Sequence, residues 1–83
     1  MDDTRERDAH LVCMARAGDR AAFAAIVARY HGALIGVAQA ILGNWDDAAD
    51  AVQDAFVLGY LHLNQLKDPN RLGPWLRRVA ANA

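Results

Sequence analysis

Four aspartates, Asp46, Asp47, Asp50 and Asp54, fall within little more than two helical turns, and no Lys or Arg occurs between Asn44 and Asp54 to offset them. Like charges at i,i+4 spacing repel by a few tenths of a kcal/mol per pair, so such a stripe gains most when a basic surface meets it. Gln53 sits among them, with an amide that can donate and accept hydrogen bonds. At about 100° per residue, Val52, Phe56, Gly59, Leu63 and Leu66 share a different face, the one that a helix buries. The chemistry on offer is recognition of a basic partner. A plainer account is that Asp46, Asp47 and Asp50 occupy the first turns of a helix, where the macrodipole stabilises each by roughly 0.3–1 kcal/mol.

A second group lies near the end of the chain. From Lys67 to Arg78 there are four basic residues, Lys67, Arg71, Arg77 and Arg78, against one acid, Asp68, although the whole chain nets only −1. Charge is therefore segregated along the sequence. Arg71, Trp75, Arg78 and Asn82 follow steps of 4, 3 and 4, which places them along one helical face. Arginine can bond phosphates or base edges, asparagine can bond a base edge, and an indole can stack on an unpaired base for about 1–3 kcal/mol. The plain alternative makes Trp75 a core aromatic and the arginines a solvated face.

Catalytic and metal chemistry find little support. His10 and Cys13 are three residues apart, but Cys13 is the single cysteine and His31 and His62 are isolated, short of a zinc signature. Cys13 reads as a small packing residue and His62 as a surface or half-buried one. No glycine-rich phosphate loop or nucleophile elbow occurs, so no cofactor and no enzymatic activity are expected. One cysteine cannot form an internal disulfide, which suits a reducing compartment and makes the cytoplasm the expectation. The mixed charges of Met1 to Asp8 are unlike a signal peptide. No apolar stretch is read as approaching the roughly 18 residues of a membrane span, so a soluble protein without membrane contact is expected.

The elements that must position these residues are helical. With 83 residues the chain is expected to form a single domain, 1–83, with 1–8 flexible. Alanine is abundant and no segment alternates cleanly with a period of two. The pattern predicts an all-α, compact bundle of about four helices. The first spans about Arg7 to Ala17 with Leu11, Met14 and Ala15 inward, and Gly18 terminates it. Asp19 caps the second, whose inner stripe includes Phe23, Ile26, Val27, Tyr30 and Leu34, continuing through Val37 and Ala38 to Ile41. Gly32 and Gly36 cost this helix about 1 kcal/mol each relative to alanine, which close packing against another helix would explain. Asn44 caps a third helix from Trp45 to Leu66, and a loop from Lys67 to Gly73 leads to Pro74 in the first turn of the last. There Leu72, Leu76, Val79 and Ala83 form the inward stripe.

At this point the residues resemble a family. Asp50-Ala-Val-Gln53-Asp54-Ala-Phe56, the loop with Asp68-Pro69, and Trp75-Leu-Arg-Arg-Val-Ala-Ala-Asn82 are similar to the second conserved region of bacterial sigma factors of the extracytoplasmic-function type. The opening Leu11-Val-Cys-Met-Ala-Arg16-Ala-Gly18-Asp19, followed by Phe23, resembles it too. The likeness covers about Leu11 to Ala83 and rests on four motifs in order rather than on any one. It implies a compact helical domain that binds the clamp helices of RNA polymerase through Asp50, Gln53 and Asp54. It further implies that Lys67, Asn70 and Arg71 in the loop, with Trp75, Arg77, Arg78 and Asn82 beyond it, bind the non-template strand of the minus-ten promoter element. An anti-sigma protein covering the same surfaces is a further implied partner.

Two departures qualify the likeness. The family usually carries basic residues near Leu61 and Ala81 and beyond Asn82, so weak affinity for DNA is expected. The C-terminal region 4 domain, which reads the minus-thirty-five element, is absent from these 83 residues, and full promoter recognition is not expected of them. The competing reading is a helical protein-interaction module, bound by an anti-sigma protein or another regulator, that does not bind DNA.

Overall fold

A computed structural model of the chain describes residues 3–82. The expected flexible start extends to Met1 and Asp2, and the expected inner stripe of the last helix to Ala83; these three lie outside the described residues. Four α-helices follow in order: α1 (Asp3–Arg16), α2 (Arg20–Leu42), α3 (Trp45–Leu61) and α4 (Leu72–Asn82), with short 3₁₀ turns at Leu63–Gln65 and Pro69–Arg71. No strand occurs among the described residues, and the all-α bundle predicted from the sequence is what forms.

The helix boundaries have local causes. Gly18 adopts φ 101° after α1, and Gly43 adopts φ 68° while its N–H bonds Gln39 O at 2.8 Å, so both take a left-handed conformation open to glycine. Asp19 accepts from the backbone N–H groups of Ala21 and Ala22 at 3.0 and 3.3 Å, and Asn44 accepts from that of Asp47 at 3.1 Å. Each cap satisfies orphan donors at a helix start, typically for about 1 kcal/mol.

Two boundaries differ from the sequence expectation. α1 begins at Asp3, ahead of Arg7. Asp8, inside the segment expected to be flexible, is only 3% exposed, because it accepts a hydrogen bond from the Tyr30 hydroxyl and lies 3.1 Å from Arg29 Nε. The third helix stops at Leu61 instead of reaching Leu66. Arg16 explains the change of course: its Nε and Nη2 donate to Leu63 O at 3.3 and 3.0 Å, and Nη2 also donates to Leu66 O. A guanidinium from α1 thereby satisfies carbonyls that a continuing helix would have bonded itself. The 3₁₀ turn still brings Leu63 and Leu66 into the core beside Val52, Phe56 and Gly59.

The core is centred on Val12, Ile26, Leu34, Val52, Leu72 and Leu76, all fully buried. Burying each such side chain is worth roughly 1.5–3 kcal/mol. Leu72 and Leu76 take the inward places expected of them, while Val79 is half-buried and Ala80 is the buried residue of that turn. Two other inward assignments are corrected. Met14 is 36% exposed and Ile41 58% exposed; Val12 and Ala15 face the core from α1, and Ile35 and Ala38 from α2.

The glycines of α2 are also corrected. A Cβ at Gly32 or Gly36 would meet nothing within 4 Å, so close helix packing inside the bundle does not account for them. The close approaches lie elsewhere. A Cβ at Gly59 would sit 3.2 Å from Leu76 Cδ2, and one at Gly73 would sit 3.2 Å from the Tyr30 hydroxyl. The first lets α4 lie tight on α3, and the second lets the start of α4 close on α2.

α2 overturns one further expectation. It has 23 residues and a mean hydropathy of 1.5 over its most apolar window, long and apolar enough by length and composition to cross a membrane. In the bundle it is the central helix, packed against α1, α3 and α4, and Arg29 and Tyr30 tie it to the Asp8 carboxylate.

Candidate functional site

α3 presents its acids outward. Asp46, Asp47, Asp50 and Asp54 are all exposed, and none has an ion-pair partner among the described residues. Asn44 caps the helix beneath them, so Asp46 and Asp47 sit in its first turn. The macrodipole supports these two, but Asp50 and Asp54 lie deeper, where that effect has faded.

Beside the acids runs an apolar groove of about 620 Å³ between α2 and α3, with Gln53 on its rim. Phe23 and Tyr60 meet edge to face with ring centroids 5.0 Å apart, and the His31 ring lies parallel to Phe56 at 6.4 Å. Val57, Tyr60 and Leu61 are 55%, 47% and 66% exposed along it. The sequence reading placed Gln53 with the acids and missed the groove. The signal was available: α3 carries apolar residues at Val57, Leu58, Tyr60 and Leu61, off its buried stripe, more than a solvated face needs.

The basic end divides into two sides around the Pro69–Arg71 turn. On one side, Trp75, Arg78 and Asn82 of α4 line a hollow of about 330 Å³ with Leu58 of α3 and His62 just past its end. Trp75 is half-buried and Asn82 exposed, so neither is sealed in the bundle. Gly59 lies beneath the indole, at a distance where a Cβ would make an ordinary contact with Trp75 Cζ3 at 3.8 Å. A smaller adjoining hollow brings Lys67 and Arg71 next to Trp75 and Arg78. Asp68 shapes the turn by accepting from Asn70 N at 3.0 Å, and its other oxygen lies 3.9 Å from Arg71 Nε, an exposed pair of small energetic weight.

On the other side, Asn70, Arg71 and Arg77 line a polar cavity with Tyr30 and Asp8. Arg77 and Asn70 are therefore not gathered with Trp75 and Asn82, although all were expected to serve one strand. The reason is helical: Arg77 stands two residues from Trp75, about 200° around α4. Tyr30, on the wall of that cavity, has its pKa pushed up to about 12, first by burial and then by its hydrogen bond to Asp8 and that carboxylate's charge. His10 and Cys13 are exposed on α1, and no group of three or more metal-ligating side chains occurs among the described residues.

Comparison with known proteins identifies the family. Residues 26–83 match the sigma-70 region 2 family. The chain is 30% identical over 79 residues to the RNA polymerase sigma-H factor of Pseudomonas aeruginosa, covering 95% of this chain and 41% of that protein. It is 34% identical over 65 residues to the ECF RNA polymerase sigma factor SigW of Bacillus subtilis, covering 78% of this chain and 35% of that protein. It is 33% identical over 76 residues to the ECF RNA polymerase sigma factor SigM of Mycobacterium tuberculosis, covering 92% and 39% respectively. The chain thus spans about two fifths of the length of these curated relatives. No solved structure gives a significant match. With the family match over more than half of its residues, the chain belongs to the sigma-70 region 2 family, in its extracytoplasmic-function branch.

Proposed function

We propose that this chain serves transcription initiation in the cytoplasm by docking on the clamp helices of RNA polymerase and opening the minus-ten promoter element through capture of its non-template strand. The observation that carries the reading is that α3 is a shared wall between two unlike surfaces. Gln53 lines the apolar groove on the α2 side, with Asp50 and Asp54 exposed on neighbouring positions of α3; Leu58 and His62 contribute to the Trp75 hollow on the α4 side. A partner helix with basic and apolar side chains fits the first, because the apolar groove gains roughly 25 cal/mol per Å² covered while the aspartates supply orientation and rate of encounter.

The second surface fits an unpaired base. Extruding a base costs a few kcal/mol, and stacking on Trp75 returns about 1–3 kcal/mol, with Asn82 and Arg78 able to bond the exposed edge. The two sides of that balance nearly cancel. Strand capture therefore needs the chain held at the promoter by polymerase, and a net charge of −1 disfavours searching DNA alone. Lys67 and Arg71 give the strand's phosphates their counter-charge. With about three to four phosphates neutralised, the log–log salt slope is about −2 to −3 at roughly 0.7 per contact. No covalent step is required.

The test is paired. Trp75→Ala and Asn82→Ala weaken binding of a single-stranded minus-ten oligonucleotide in low salt by about 1–3 kcal/mol each. Asp50→Lys with Asp54→Lys abolishes pull-down of polymerase and leaves helicity intact. Unchanged oligonucleotide binding in both α4 variants would leave an interaction module alone, and retained pull-down would reject the clamp assignment.

A further inference from the structure

We propose that the polar cavity enclosed by α1, α2 and the Pro69–Arg71 turn is a phosphoryl-binding site, separate from the hollow beside Trp75. The cavity holds about 490 Å³ and is lined by Arg5, Asp8, Tyr30, Asn70, Arg71 and Arg77 among others. That is room for a phosphate together with a second phosphate or part of a sugar. The strand-capture reading uses Arg71 on the side toward Trp75 but leaves Asn70 and Arg77 without a role, because those two line this cavity and not the hollow of Trp75 and Asn82.

The charge balance in the cavity favours an anion. Asp8 is already engaged, accepting from the Tyr30 hydroxyl with Arg29 Nε 3.1 Å away. Asp68 directs one oxygen to the backbone and side chain of Asn70, at 3.0 and 3.3 Å, and its other oxygen is 3.9 Å from Arg71 Nε. Arg71 is thus only loosely held, and Arg77 has no hydrogen bond or ion pair among the described residues. Tyr30, with its pKa raised, is an uncharged phenol at neutral pH and adds no repulsion. Once Arg29 is set against Asp8, Arg71 and Arg77 stand against the single carboxylate of Asp68.

Geometry selects phosphoryl over carboxylate. Guanidinium forks bond pairs of oxygens, and a phosphate group presents three terminal oxygens and up to two charges where a carboxylate presents two oxygens and one. Gly73 and Tyr30, both on the lining, approach so closely that a Cβ on the glycine would stand 3.2 Å from the phenol hydroxyl, which brings the start of α4 directly against α2 there. Two sources share this chemistry: the phosphodiester of a nucleic-acid strand and the phosphate of a free nucleotide.

The experiment titrates sodium pyrophosphate into the ¹⁵N-labelled chain at low ionic strength, with sodium chloride matched as control. The expected result is saturable shifts at the amides of Asn70, Arg71 and Gly73 and at Arg77 Nε–H. Arg77→Gln weakens the affinity at least about tenfold, and Arg78→Gln, altered on the other side of α4, leaves it unchanged. Arg77→Lys keeps the charge without the fork and loses a smaller factor. Shifts that never saturate, or equal losses in the Arg77 and Arg78 variants, overturn the proposal. A single-stranded oligonucleotide then separates the sources. Displacement of pyrophosphate from Arg77 assigns the site to the strand, whereas an oligonucleotide that binds at Trp75 without displacing it assigns the site to a free phosphorylated ligand. Trp75→Ala leaves the pyrophosphate shifts intact in either case, so failure of strand capture is distinguishable from failure of this site.

Discussion

Replacing Gly59 by alanine tests the contact that holds the Trp75 hollow together. The new methyl would lie 3.2 Å from Leu76 Cδ2 and 3.8 Å from Trp75 Cζ3. The first distance is tighter than ordinary van der Waals contact, and Leu76 is fully buried, so its side chain has little freedom to retreat. Overpacking of this kind costs typically 1–3 kcal/mol. Against it stands the gain of about 1 kcal/mol from removing a glycine from a helix interior. The balance is a net loss of about 0–2 kcal/mol. Gly32→Ala and Gly36→Ala receive the same propensity gain with nothing within 4 Å to oppose it, and each should stabilise the fold by about 0.4–1 kcal/mol. Thermal unfolding followed by far-ultraviolet circular dichroism reads both, since 1 kcal/mol moves the Tm of a domain this size by roughly 4–8 °C. The α2 variants should rise and Gly59→Ala should fall or stay level. A Gly59→Ala protein that rises as much as Gly32→Ala would refute the close seating of α4 on α3.

Other outcomes follow from the same geometry. Arg16→Ala should destabilise the fold by about 1–3 kcal/mol in urea unfolding, because Leu63 O and Leu66 O lose a charged donor; an unchanged midpoint would mean that water replaces the guanidinium freely. Asn44→Ala should cost about 1 kcal/mol through loss of the α3 cap, read in the same assay. Tyr30 has a folded-state pKa near 12 against 10.0 for the free side chain, so the protonated phenol favours the folded chain. Its contribution is full below pH 10 and is lost as pH rises from 10 toward 12. Melting temperatures across that window should fall, and Tyr30→Phe should flatten the fall; an identical profile in the variant would discount the raised pKa of Tyr30, which burial and then the bond to Asp8 produce.

The parts of the fold that obeyed one-dimensional rules were legible from residue order. Caps at Asp19 and Asn44, left-handed glycines at Gly18 and Gly43, and the inner faces through Ile26, Leu34, Val52 and Leu76 each depend on residues close in sequence. What escaped were contacts between distant residues. Arg16 ends α3 from 47 positions away, and Asp8 meets Tyr30 from 22 positions away; no periodicity encodes either. Gly32 and Gly36 invited a packing account that belongs instead to Gly59 and Gly73. At the candidate site, the acid stripe and the row Trp75, Arg78, Asn82 were visible because single helices carry them. The groove beside Gln53 and the cavity at Arg77 were not, because two or more helices must meet to make them.

Photo-crosslinking from two positions tests the two-surface account most directly. A benzoylphenylalanine replaces Gln53 in one sample and Trp75 in another, each mixed with polymerase core and a promoter fork unpaired over the minus-ten element. The account predicts that position 53 crosslinks to the polymerase clamp and not to DNA, and that position 75 crosslinks to the non-template strand. Crosslinks from position 75 to protein alone, or from position 53 to DNA, would contradict it.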